Sequence, residues 1–153
     1  MGKKYKLTEE TINVVGKTMY RIEAIRNFAN VKMGDKGGYV ENEGNLSQSG
    51  NCWVYCDAKV YGDAKVYGNA AIKGDAKVHD AVDYIVFKNF WSSGRYFTWT
   101  SSNNKWSVGC FYGTSEELIK KAYADSEKSG REYERVVRYV ESILADEKKE
   151  KSN

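Results

Sequence analysis

Between Gly50 and Val82 the apolar positions recur every six residues. Val54, Val60, Val66, Ile72 and Val78 hold one slot, and Cys52, Ala58, Ala64, Ala70 and Ala76 hold the slot two residues earlier. Two positions two apart on an extended strand face the same side, so each hexad predicts a short strand whose apolar pair turns inward. Lys59, Tyr61, Lys65, Tyr67, Lys73 and Lys77 then turn outward. Gly, or Cys56 once, followed by Asp or Asn supplies a corner that tolerates tight or left-handed backbone. Three corners close a coil of about eighteen residues, so residue i stacks on residue i+18 in a parallel β-helix. The alternation of small Ala and larger Val or Ile lets a narrow interior fill without voids. An amphipathic helix needs a period near ~3.6 and does not fit; antiparallel hairpins with coincidental Gly-Asp turns are the competing architecture. The repeat weakens upstream, where Gln48 sits in a Val slot. Leu46 to Val82 amounts to about two coils, a stub on the order of 10 Å tall.

A stub this short exposes strand edges at both ends, so the flanking segments are expected to cap it. Before it, Lys3–Leu7, Ile12–Val15 and Thr18–Arg26 read as strands around a Gly16-Lys17 turn, followed by a glycine-rich lead-in over Ala29–Gly38. After it, Asp83–Phe90, Arg95–Thr100 and Lys105–Phe111 are rich in β-branched and aromatic residues. Ser101–Asn104 reads as a turn. Thr114 and Glu117 form a capping box that opens a helix carrying Leu118, Ile119, Ala122 and Tyr123. Gly130 is expected to separate it from a second helix carrying Tyr133, Val136, Val137, Val140, Ile143 and Leu144. The chain thus divides into an N-terminal β cap (1–43), the hexapeptide-repeat β-helix (44–82), a C-terminal α+β domain (83–145) and a flexible tail (146–153). The class is mainly β with α.

Composition adds limits. The 153 residues suit one to two small domains, and 14% aromatic content gives the caps material for cores. No signal peptide or long apolar span is evident, which predicts a cytoplasmic chain without membrane contact. Three cysteines without CxxC spacing argue against a disulfide framework, a metal site or an activated thiol. Net charge is +3 and dispersed, although residues 83–114 carry three basic side chains against one acidic.

Stacking at i+18 places Lys59 over Lys77, Tyr61 over His79, and Trp53 and Tyr55 over Ala71 and Lys73. Lysines interleaved with aromatics can grip nucleic acid or a nucleotide, but Asp57, Asp63 and Asp75 on the neighbouring corners dilute the field. The same aromatics suit a contact surface. The candidate binding residues are therefore Trp53, Tyr55, Lys59, Tyr61, Lys65, Tyr67, Lys73 and Lys77. The lone histidine, His79, is the single candidate general base. It fills an outward slot that other hexads give to Tyr or Lys, and no inserted loop builds a substrate wall beside it. No catalytic residue is assigned, and no cofactor is expected.

Val54–Ala58, Val60–Ala64, Val66–Ala70 and Ile72–Ala76, an apolar residue with a small one four positions later, resemble the hexapeptide repeat of left-handed β-helices. Enzymes with that repeat are commonly trimeric acyltransferases using acyl-CoA with a histidine base. That resemblance implies His79 as catalytic residue in the enzyme alternative. Arg21–Tyr55 and Asp83 to about Ser142, with WSVGCFYGTSEEL at its centre, resemble small phage and prophage hexapeptide-repeat proteins that are labelled transferases on the repeat alone. This second resemblance covers nearly the whole chain. It implies a non-enzymatic, anti-defence inhibitor, of the anti-CRISPR kind, that binds a host protein or ribonucleoprotein complex in the host cytoplasm. A small homo-oligomer and a nucleotide-sequestering or nucleic-acid-binding module complete the alternatives.

Overall fold

The computed structural model describes residues 2–152, apart from the side chains of Ala81 and residues 148–152. Strands β1 (Tyr5–Val14) and β2 (Lys17–Ala24) form a hairpin around Val15-Gly16, both at positive φ. β2 pairs antiparallel with β3 (Lys36–Val40). The repeat segment adds four two-residue strands: β4 (Trp53–Val54), β5 (Lys59–Val60), β6 (Ala71–Ile72) and β7 (Lys77–Val78).

Pairing within the repeat is parallel throughout. Trp53 lies beside Ala71 and Lys59 beside Lys77, the expected eighteen-residue register. Tyr39 pairs with Lys59, and an isolated parallel bridge joins Leu46 to Val66. Both of these span two extra residues, and the excess lies where the hexad breaks down. Gln48, in the Val slot, has its amide turned to the N-terminal strand: Oε1 accepts from Lys4 N (2.8 Å) and Tyr5 N (3.1 Å). The resulting five-stranded sheet is mixed, in the order β1-β2-β3-β5-β7, so the N-terminal hairpin extends one flank of the repeat.

The physics of the hexad is visible at each slot. All ten inward residues are buried, none more than 2% exposed. Gly50, Cys56, Gly62, Gly68 and Gly74, one per corner, have φ between 56° and 74°. The ten inward residues share one core with Tyr5, Ile22, Val40 and Trp53.

The C-terminal part is a second antiparallel sheet with two helices on its far face. β8 (Tyr84–Lys88), β9 (Tyr96–Thr100), β10 (Lys105–Val108) and β11 (Phe111–Gly113) run in the order β11-β10-β9-β8. Phe97, Trp99 and Trp106 pack from the sheet against Leu118, Ala122, Tyr133 and Val137 of the helices. The Thr114–Glu117 capping box starts α1 (Ser115–Asp125), as expected.

The helix break differs from expectation. It falls at Ser126, whose backbone is extended and whose Oγ accepts from Ser129 N (3.0 Å), while Gly130 lies within α2 (Glu127–Ser152). A Cβ at Gly130 would run into the Tyr123 ring, so this glycine serves close helix approach rather than a turn. α2 continues through most of the stretch read as tail; Asn153 lies outside the described residues.

Polar side chains of both flanks meet the ends of the repeat. Within it, residue i donates to residue i+17, as Trp53 N does to Ala70 O (3.1 Å). Across the lead-in the offset is nineteen, as Tyr39 N to Ala58 O shows, so Cys52 O should receive the N–H of Met33, but Met33 N donates to Asn27 Oδ1 (2.8 Å) instead. The fully buried Lys4 takes its place: its Nζ donates to Cys52 O (2.7 Å) and Gly50 O (3.3 Å). At the other end Ala71 N donates to Thr98 Oγ1 (3.0 Å) and Lys77 N to Ser102 Oγ (2.8 Å). Buried backbone groups are seldom left unpaired, and here the neighbours supply the partners.

Candidate functional site

The stacking expected at i+18 is present, but it spreads the candidate residues over three flanks. On the first, Lys59 sits beside Lys77 and the Tyr61 ring stacks on His79 at 5.4 Å. This flank is not a basic stripe. Arg21 stacks on Tyr39 (4.4 Å) and pairs with Glu10 (2.5 Å) and Asp57 (3.1 Å), and Lys59 Nζ turns to Asp57 O (3.0 Å). His79 is exposed, with Nδ1 3.0 Å from Asp80 Oδ2. The potential ligand atoms of His79, Asp80 and Asp83 lie within 4.8 Å of one another. Asp83 Oδ2 is occupied as a turn cap, accepting from His79 N and Asp80 N at 3.0 Å each.

On the second flank Trp53 does not contribute a surface. Phe28 and Tyr5 cover its ring edge-on at 5.2 and 6.1 Å, leaving it 2% exposed. The hexad states which way Trp53 leaves its strand; the N-terminal segment decides that it meets protein. Tyr55 and Lys73 remain half-buried, with Lys73 Nζ 5.0 Å from the Tyr55 ring centroid. Tyr55 OH donates to Asn30 Oδ1 (2.9 Å) and Lys73 Nζ to Gly109 O (3.0 Å). Burial pushes the Tyr55 phenol up and holds the Lys73 ammonium below the usual lysine range. These two residues, with Arg95 and Tyr96, border a cleft of about 550 Å³.

The third flank carries Lys65 and Tyr67, which line a neighbouring cleft of about 620 Å³ with Tyr84, Val86 and Tyr96. Tyr84 OH donates to Lys65 O (2.8 Å), tying the second sheet to the repeat, and burial pushes this phenol up to about 12. Tyr67 is 66% exposed. Beside it runs the open edge of β8. Ser101 N donates to Asp83 O and Asn89 N to Arg95 O, so odd-numbered residues of β8 bond β9. The backbone groups of Tyr84, Val86 and Lys88 therefore face outward from the sheet edge.

The eight candidates thus form no single patch. Two pairs, Lys65 with Tyr67 and Tyr55 with Lys73, border clefts completed by Tyr84, Arg95 and Tyr96. Those three were not singled out from the sequence; the basic excess of residues 83–114 is the one signal that pointed toward them. No protein-family model matches this chain, and no curated protein matches it. No helix among the described residues is long and apolar enough to cross a membrane.

Proposed function

We propose that this chain is a non-enzymatic binding protein whose repeat segment is a two-coil left-handed β-helix stub, holding a contact surface rigid between two capping units. The observation that carries this reading is Tyr67, 66% exposed beside the unpaired edge of β8 and the cleft shared with Tyr84 and Tyr96. An open strand edge offers a row of backbone donors and acceptors, and adjacent exposed aromatics supply the apolar area that a protein partner buries. Lys65 adds a charge at the rim. The resemblance to phage hexapeptide-repeat proteins supplies the partner class: a host defence protein or ribonucleoprotein complex, met in the host cytoplasm.

His79 has a different setting. Its ring is stacked on Tyr61 and flanked by two carboxylates on an exposed face, which fits a surface side chain better than a general base toward acyl-CoA. The test is affinity capture from host lysate followed by cross-link mapping. Cross-links should fall on Lys65 and Lys88, and Tyr67→Glu should weaken capture. A complex that maps to the Lys59–Lys77 flank and ignores Tyr67→Glu refutes the placement.

A further inference from the structure

The cleft between the second flank and the C-terminal sheet carries an unbalanced charge. Lys73 is half-buried there and Arg95 stands at its margin, and neither forms an ion pair among the described residues. No Asp or Glu lines the cleft. A cation withdrawn from water without a counter-ion is costly, so the arrangement favours an anion from solution.

The repeat itself carries a second, independent sign. Its corner slot after Gly (or Cys56) reads Asn51, Asp57, Asp63, Asn69, Asp75, and Asn and Asp serve such turns equally well. The two corners that border this cleft, Asn51 and Asn69, are the two that carry an amide in place of a carboxylate. Tyr96, 43% exposed, offers a planar face at the same mouth. The volume of about 550 Å³ falls within the usual range for small-ligand sites.

We infer that this cleft binds a mononucleotide-sized organic phosphate, with the phosphate held by Lys73 and Arg95 and the base lying against Tyr96. Arg pairs with phosphate oxygens through two parallel N–H groups, Lys acts as a point charge, and aromatic faces accept any base. The Asn51 and Asn69 amides can reach base or sugar edges without repelling the phosphate. The site adjoins the Tyr67 surface and shares Asn69 and Tyr96 with that cleft, but Lys73 and Arg95 line this cleft alone of the two.

Titration calorimetry with AMP, adenosine and inorganic phosphate tests this. AMP should bind with a dissociation constant of about 100 μM or tighter, and adenosine and phosphate each at least about tenfold more weakly. Lys73→Met should weaken AMP about tenfold. Asn69→Asp should do the same, and its fold is safeguarded because Asp63 and Asp75 occupy the same corner slot. Tyr67→Ala, which removes the exposed ring without adding charge, should weaken partner capture and leave AMP binding unchanged, so the two proposals can fail separately. Absence of AMP binding at millimolar concentration overturns the inference. So does AMP affinity indifferent to both Lys73→Met and Asn69→Asp, or binding confined to oligonucleotides.

Discussion

Lys4→Met probes how the open end of the repeat is closed. The Lys4 side chain is fully buried, its ammonium 2.7 Å from Cys52 O, 3.3 Å from Gly50 O and 4.9 Å from the Phe28 ring centroid. Methionine keeps the length of the stem and most of its packing, so the change isolates the ammonium. Two effects oppose each other. Removing the charge relieves a desolvation penalty, while it strands the Cys52 carbonyl, for which the preceding coil offers no N–H. A buried acceptor left without a donor costs about 1–3 kcal/mol, and hydrogen bonds to charged groups lie at the upper end of the net scale. We expect the stranded carbonyl to dominate. Lys4→Met should lose about 2 kcal/mol, which for a chain of this size lowers Tm by about 4–8 °C in calorimetry.

The pH dependence gives an independent check. Burial holds the Lys4 ammonium below its ordinary value, against an opposing pull from Cys52. Between that lowered value and the unfolded value near ~10.4, the unfolded chain binds more protons, so stability rises with pH. The methionine variant lacks this gain, and the gap between the two proteins should widen on the alkaline side. A variant as stable as the parent, or a gap that narrows with pH, refutes the assignment of Lys4 as the cap.

Three further changes test separate links. Cys56→Gly should stabilise by up to about 1 kcal/mol, since relief of a left-handed non-glycine residue (φ 56°) outweighs the added freedom of the unfolded chain. Chemical denaturation at fixed slope reads this directly. Gly130→Ala should destabilise although alanine is the better helix former, because its Cβ meets the Tyr123 ring; a higher midpoint would show that the helices adjust freely. Tyr84→Phe should flatten the alkaline limb of the stability curve. The folded phenol titrates at about 12 against an ordinary value of 10.0, so its contribution is present below pH 10.0 and lost as pH rises toward 12. An unchanged alkaline limb in the variant would show that Tyr84 is not responsible.

The six-residue period was enough to place the repeat's interior, because inward direction and corner conformation are local properties of the chain. Cys52, Ala58 and Val60 follow from that period alone, and even the exceptional corner, Cys56, adopts the expected left-handed backbone. What covers an outward residue is not local. Trp53 is buried because Phe28 and Tyr5 arrive from distant segments, and no period records that. Gly130 reads as a breaker by composition, whereas the Tyr123 ring against it is a tertiary fact; the SxxS spacing from Ser126 marked the real boundary. The two clefts exist because Thr98 and Ser102 dock the second sheet on the end of the repeat. Lys73 and Tyr67 were legible as outward residues, but Arg95, Tyr84 and Tyr96 became their neighbours through that docking alone.

The central claim is that the chain works by holding a partner at the Tyr67 surface. Its most direct test is the capture of host factors by the parent, Tyr67→Glu and His79→Ala proteins, with light scattering to give stoichiometry and acetyl-CoA thermal shift measured alongside. The account predicts a stoichiometric complex lost with Tyr67→Glu, retained with His79→Ala, and no acetyl-CoA shift. No complex, together with an acetyl-CoA-dependent rise in Tm that disappears in His79→Ala, would contradict it.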